Sequence, residues 1–291
     1  MSTDHLVLHA QTQASLQQFI DRPAHAVLIL GAPGSGKQSL ARHLAAVYLN
    51  VPQDHLDAHP YWFMVQPVDG KAIPIDSIRE LQRHTSLKIP GKAAIARILV
   101  IDSAHLLTTE AQNALLKTLE EPPLDTVILM TASSADALLP TIQSRVRTLQ
   151  VTPPASQELR QHCLAQGYDA SAIDKALMLS GGLPGLTLAL LAEQDTHPLY
   201  EATAIARTLL QSTAYGRLVQ VDALSKQKQL CQDICFILGE MARMSLVRTA
   251  DMQSAAAQRW QRVLRASFVA QGQLRTNTHT KLVLINLMLA F

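Results

Sequence analysis

Seven consecutive residues, Gly31-Ala32-Pro33-Gly34-Ser35-Gly36-Lys37, place three glycines and a lysine between the apolar run Ala26–Leu30 and a helical pattern over Lys37–Leu49. Glycines let successive backbone N–H groups turn inward around anionic oxygens. The following helix N-terminus adds its dipole, and a lysine neutralises the outer charge. That chemistry is phosphate binding, and ATP or ADP is the expected ligand. The position after the lysine normally carries Ser or Thr, whose hydroxyl holds Mg²⁺; here it is Gln38. Ser39 comes next, but one helical step turns it about 100° away from that place. The loop therefore reads as a nucleotide cradle, Mg²⁺-dependent if it binds, with ordinary metal-assisted hydrolysis impaired.

Three further segments carry candidate chemistry. Arg97-Ile-Leu-Val-Ile-Asp102 is an apolar strand ending in a carboxylate, the Walker B form that holds Mg²⁺ through water. The residue after it is Ser103, which cannot polarise an attacking water as a glutamate would, and Glu110 lies more than a helical turn downstream. Asn113-Ala-Leu-Leu-Lys-Thr-Leu-Glu-Glu-Pro-Pro123 reads as a helix with Leu115, Leu116 and Leu119 on one face, solvated acids at Glu120 and Glu121, and a proline stop. Leu139-Pro-Thr-Ile-Gln-Ser-Arg145 ends in an arginine that, read singly, is a surface or salt-bridging residue.

Short continuous apolar runs at 26–30, 98–101, 127–131 and 148–151, with a fifth candidate at 61–66, have the pattern of strands covered on both faces. Helical patterns at 37–49, 75–86 and 109–119 alternate with them, which predicts an α/β doubly wound parallel sheet. Pro153-Pro154 breaks the alternation. Short helical segments follow at 156–166 and 172–180, the second ending at Gly181-Gly182. Beyond His197-Pro198 only amphipathic helix is expected, at 199–213, 217–247 and 253–273, with a last helix after Asn277.

Bulk properties agree with folded domains. Of 291 residues, 48% are hydrophobic and 16% charged, enough apolar material for real cores, and 4% are aromatic, so aliphatic side chains must build them. Net charge is +2, but the stretch from Lys226 onward holds nine Lys/Arg against three acids, +6, leaving −4 for the rest. A basic C-terminal third fits an acidic partner, a phosphate backbone or simply solvated helix faces. The three cysteines, Cys163, Cys231 and Cys235, build neither a disulfide framework nor a four-ligand zinc set, so no zinc is expected and a reduced cytoplasmic setting fits. No signal-peptide pattern opens the chain, and the late apolar run 282–291 is too short to span a membrane, so no membrane association is expected.

The order of loop, Asp-ended strand, Leu-Glu-Glu-Pro-Pro and Ser-Arg resembles the clamp-loader branch of the AAA+ family, in particular the bacterial DNA polymerase III clamp-loader subunits. The resemblance covers about 1–190 by motif. It implies an AAA+ P-loop core over 1–152, a small helical lid over 153–195 and an all-helical oligomerisation collar over 196–291. It also implies that Arg145 is an arginine finger acting in a neighbouring subunit's ATP site, and that Thr131 or Ser133 is the polar sensor. Val146 stands where the family has cysteine. The 51–75 stretch lacks the zinc cysteines common in the family, and Gly181-Gly-Leu-Pro184-Gly185 lacks a sensor arginine. Gln38, Ser103 and Pro184 with Arg145 retained resemble the delta prime type of subunit, a stator with weak or absent ATP hydrolysis. Its implied partners are the other subunits of a hetero-oligomeric ring, the sliding clamp and primer–template DNA. The alternatives are a catalytically active gamma-like ATPase subunit and, from a different class, a P-loop small-molecule kinase.

Overall fold

Five aliphatic strands pair in parallel: β1 (Ala26–Leu30), β2 (Trp62–Val65), β3 (Arg97–Ile101), β4 (Thr126–Ala132) and β5 (Arg147–Gln150), in the order β2-β3-β4-β1-β5. The computed structural model describes residues 6–68, 71–85, 95–123, 125–195, 197–249, 253–276 and 278–291. The expected helix end at Ser86 and the helix leader Asn277 lie outside them. The described chain forms two compact units, Met1–Pro153 and Pro154–Phe291.

In the first unit, alternate strand residues point to opposite faces, and helices cover both. Val27, Ile29, Ile98, Val100, Val127 and Leu129 pack with Leu16 and Phe19 of α1 (Ala10–Asp21) and Leu40 and Leu44 of α2 (Lys37–Leu49). Leu28, Leu99, Ile101, Ile128 and Met130 pack with Ile78 and Leu81 of α3 (Ile75–Thr85) and Leu115 and Leu119 of α4 (Thr109–Glu120). Both faces are apolar, which is why the strands read as unbroken hydrophobic runs rather than alternating ones. The Thr108 hydroxyl caps α4 by accepting from Ala111 N at 3.2 Å, and Pro122-Pro123 follow its end. One further turn, α5 (Pro140–Gln143), precedes β5.

The second unit is all helix: α6 (Ser156–Ala165), α7 (Ala170–Ser180), α8 (Pro184–Leu191), α9 (Tyr200–Gln211), α10 (Ala214–Leu224), α11 (Lys228–Arg248), α12 (Ala255–Arg275) and α13 (Thr280–Leu289). Apart from Pro153, which belongs to the first unit, the segments 153–195 and 196–291 both fall within this unit. Its centre is α11, whose Cys231, Ile234, Cys235, Leu238, Met241 and Ala242 are buried. Gly181 ends α7 at φ 67°, and a Cβ there would lie 2.4 Å from Glu240 Cβ, so glycine is required both for the turn and for the approach of α11.

Two helical boundaries differ from the sequence reading. Pro184 opens α8 as its N1 residue, where a proline's missing N–H costs nothing; the sequence reading set a stop at Gly181-Gly182 and gave no helix over 184–191. The stretch 217–247 is two helices, α10 and α11, interrupted by a turn at 225–227 that carries neither Gly nor Pro.

Leu129 is fully buried in β4, whereas Leu282 of α13 is 58% exposed. A urea titration should show Leu129→Ala destabilising the protein by about 2–5 kcal/mol, while Leu282→Ala stays within about 0.5 kcal/mol.

Candidate functional site

The sheet order brings the loop and the carboxylate together. β4 pairs with β1 through Ile29↔Thr131 and Leu30↔Ala132, and with β3 through Ile101↔Met130. The ends of the loop strand and the Asp-ended strand therefore flank one central strand, at the carboxyl edge of the sheet where open α/β folds bind ligands.

The loop is built by its glycines. Gly34 and Gly36 adopt φ 73° and 85°, a region costly for other residues. Gly31 N donates to Ala132 O at 3.2 Å, tying the loop to β4. A Cβ at Gly31 would lie 2.8 Å from Ser35 Oγ and 3.0 Å from Val151 Cβ. Ser35 is buried, and its Oγ makes no hydrogen bond among the described residues. The Lys37 Nζ donates to Gly31 O at 2.9 Å and Ala32 O at 2.8 Å, which holds the ammonium against the loop. Burial brings the Lys37 pKa down to about 8, with the Asp102 carboxylate pulling the other way. Backbone curvature, the helix N-terminus at Lys37 and a poised ammonium fit a phosphate group.

The metal side of the cradle is depleted. Gln38 and Ser39 are exposed on the first turn of α2, and the Gln38 amide nitrogen lies 4.0 Å from Met64 Sδ. The Thr131 hydroxyl donates to Asp102 Oδ1 at 2.5 Å and accepts from Ser103 N at 2.9 Å, so the carboxylate already carries one strong hydrogen bond. Ser103 sits at φ 54°, a left-handed residue that turns the chain off the strand. Glu110 is exposed in the first turn of α4. Between the two sensor candidates, Thr131 touches Asp102, whereas Ser133 N lies 3.5 Å from His105 Nδ1.

His105 is a residue the sequence reading missed. It follows Ser103 and Ala104 in a short 3-10 turn, and its pKa is lowered by burial and then by the Lys37 charge, against the pull of Asp102. It therefore belongs to the electrostatic environment of the loop. The signal available in sequence was only its nearness to Asp102.

Arg145 follows α5 and is half-buried. Its Nη1 donates to Thr141 O at 2.9 Å and Ser144 Oγ at 3.2 Å, and its Nη2 lies 2.9 Å from Glu120 Oε1. Glu120 is thus not simply a solvated acid at a helix end but the ion-pair partner of the candidate finger. The same α4 anchors the segment leading to Arg145: Leu139 N donates to Gln112 Oε1 at 2.7 Å, and Gln112 Nε2 donates to Ala137 O at 3.0 Å and Leu107 O at 3.3 Å.

Four of the nine basic residues from Lys226 onward make local contacts. Arg243 pairs with Glu240 and donates to Gly181 O, Lys281 pairs with Asp222, Arg259 donates to Leu210 O and Lys228 to Thr276 O. Arg217 is buried and donates to the Met288 and Phe291 carbonyl groups, closing α10 on the C-terminal residues. No helix among the described residues is long and apolar enough to cross a membrane.

A glycine-rich loop and a strand-end carboxylate, separated by a strand whose threonine bonds that carboxylate, give the first unit the parts of a phosphate-binding site at the carboxyl edge of a parallel α/β sheet. The fold is shared with a DNA polymerase III gamma-subunit-related protein from Thermotoga maritima, at TM-score 0.53 and 20% identity over 96% of this chain and 97% of that one. The chain belongs to the DNA polymerase III delta-subunit family, whose model matches residues 8–155. It is 33% identical to DNA polymerase III subunit delta' of Escherichia coli strain K12 over 67% of this chain and 60% of the relative. Against the delta' subunit of Pseudomonas aeruginosa it is again 33% identical, over 55% of this chain and 54% of the relative. The matched stretches thus span only 54–60% of these relatives' lengths.

Phosphate seated against Lys37 raises that lysine's pKa, so above about 8 binding must take up a proton. ADP affinity measured by calorimetry should therefore fall as pH rises from 8, approaching tenfold per pH unit. Lys37→Met should bind more weakly and lose that slope; a flat wild-type profile would contradict the assignment of Lys37.

Proposed function

We propose that this chain is a delta prime-type subunit of the DNA polymerase III clamp loader, a stator that donates an arginine finger rather than a turnover ATPase. The observation that carries the reading is the contrast between two places in the core. The chain's own loop keeps the phosphate-binding parts but presents Gln38 where a metal-binding hydroxyl belongs and Ser103 where a water-polarising carboxylate belongs. Arg145, by contrast, is half-exposed and held by three acceptors.

In this reading Gly31, Ala32, Pro33, Gly34, Ser35, Gly36 and Lys37 bind the phosphates of ATP or ADP, with Gln38, Ser39 and Asp102 on the metal side. Bound Mg²⁺ would supply charge neutralisation at those phosphates. The chain's own residues provide backbone N–H donors and the Lys37 ammonium, and Ser103 stands where a water-polarising glutamate would. Arg145 acts elsewhere: its guanidinium enters a neighbouring subunit's site and stabilises charge developing on the transferred phosphoryl oxygens. Residues 153–195 serve as the lid and 196–291 as the collar that joins the ring. The partners are the other clamp-loader subunits, the sliding clamp and, through the complex, primer–template DNA, in the cytoplasm.

Two ATPase measurements test the reading. The isolated chain should hydrolyse ATP at background, and activity that Lys37→Ala abolishes would favour the gamma-like alternative. In the reconstituted complex, Arg145→Ala should leave assembly intact and lower the rate, with a loss on the order of 10³-fold at the affected site diluted by the other sites. An unchanged rate would remove the finger.

A further inference from the structure

We infer that Glu120 is the positioning residue of Arg145: it holds the guanidinium in the orientation that a neighbouring site receives. The inference rests on the finger reading above and deepens it.

The position of Glu120 makes little sense for α4 alone. It is the last residue of the helix and is followed by Glu121, so two carboxylates sit at the negative end of the helix dipole. Acids there weaken a helix, and a residue that breaks a local rule is a candidate for another duty. Glu120 has one: its Oε1 lies 2.9 Å from Arg145 Nη2 across 25 residues of sequence. Glu121, next to it, makes no such contact among the described residues.

The geometry suits presentation rather than sequestration. A guanidinium carries five N–H donors. Thr141 O and Ser144 Oγ engage Nη1, and Glu120 engages Nη2 once. Two N–H groups remain to donate to an incoming anion. The pair is also half in solvent, with side-chain exposures of 36% for Arg145 and 51% for Glu120. Water screens such a pair, so Glu120 restricts the orientation of Arg145 without cancelling its charge toward a polyphosphate. An arginine side chain free in solvent has many rotamers to lose on engagement; one held from two sides loses fewer. The holding residues sit on a firm base, because Gln112 of α4 bonds both Ala137 and Leu139 in the segment that leads into α5.

The test compares complexes reconstituted with wild-type chain, E120A, E120Q and R145A, and with the double variant E120A/R145A, reading kcat and KM for ATP. E120A should lower kcat threefold to tenfold with KM unchanged and with no fall in the chain's own melting temperature. E120Q keeps an acceptor oxygen and should recover at least half of the wild-type rate. The double variant should match R145A alone. If R145A is impaired while E120A equals wild type, Glu120 does not position the finger and only this inference falls. A faster E120A complex would make Glu120 a restraint, which also overturns it. If R145A itself equals wild type, the finger reading fails and this inference fails with it.

Discussion

One strand placement organises the site: β4 lies between β1 and β3. The loop leaves the end of β1 and Asp102 leaves the end of β3, so both meet at the end of the strand they share. β4 holds each with a specific bond, Ala132 O to Gly31 N on one side and Thr131 Oγ to Asp102 on the other. Thr131 is fully buried, so its hydroxyl has few alternatives to the carboxylate and the Ser103 amide. A buried hydroxyl without partners would be costly, and this arrangement satisfies it while fixing the carboxylate. The apolar layers on both faces of the sheet keep these three strands in register.

The same scaffold separates two kinds of chemistry. At the sheet edge the chain keeps what is needed to hold a phosphate: curved glycine backbone, a helix N-terminus and an ammonium made less basic by burial. On α4 and α5 it keeps a guanidinium braced by Glu120, Thr141 and Ser144. Gln38 and Ser103 stand where a metal-binding hydroxyl and a water-polarising carboxylate would serve turnover at the first place, and in the proposed reading Arg145 serves a neighbour's site instead.

Much of this could be read in the sequence, for identifiable reasons. Strands buried on both faces leave unbroken aliphatic runs, so the core strands were legible. The glycine loop and Asp102 were legible because their chemistry is local. The different contacts of Thr131 and Ser133 were not: the two are two apart and would share a strand face, and only the end of β4 at Ala132 separates them. The Glu120–Arg145 pair was not legible either, since it depends on where α4 ends in space relative to α5. In the helical unit, α8 was missed because Gly181-Gly182 read as the end of one helix and the segment Pro184–Leu191 is only eight residues long. The break between α10 and α11 was missed because Ser225-Lys226-Gln227 carries no strong breaker.

The central claim is that Arg145, not the chain's own loop, carries its contribution to turnover. Its most direct test is to load sliding clamps onto primed DNA with two reconstituted complexes, one carrying Lys37→Ala in this chain and the other Arg145→Ala. The account predicts near-normal loading with Lys37→Ala and a strong loss with Arg145→Ala. The reverse order, a loading defect with Lys37→Ala and none with Arg145→Ala, would contradict it.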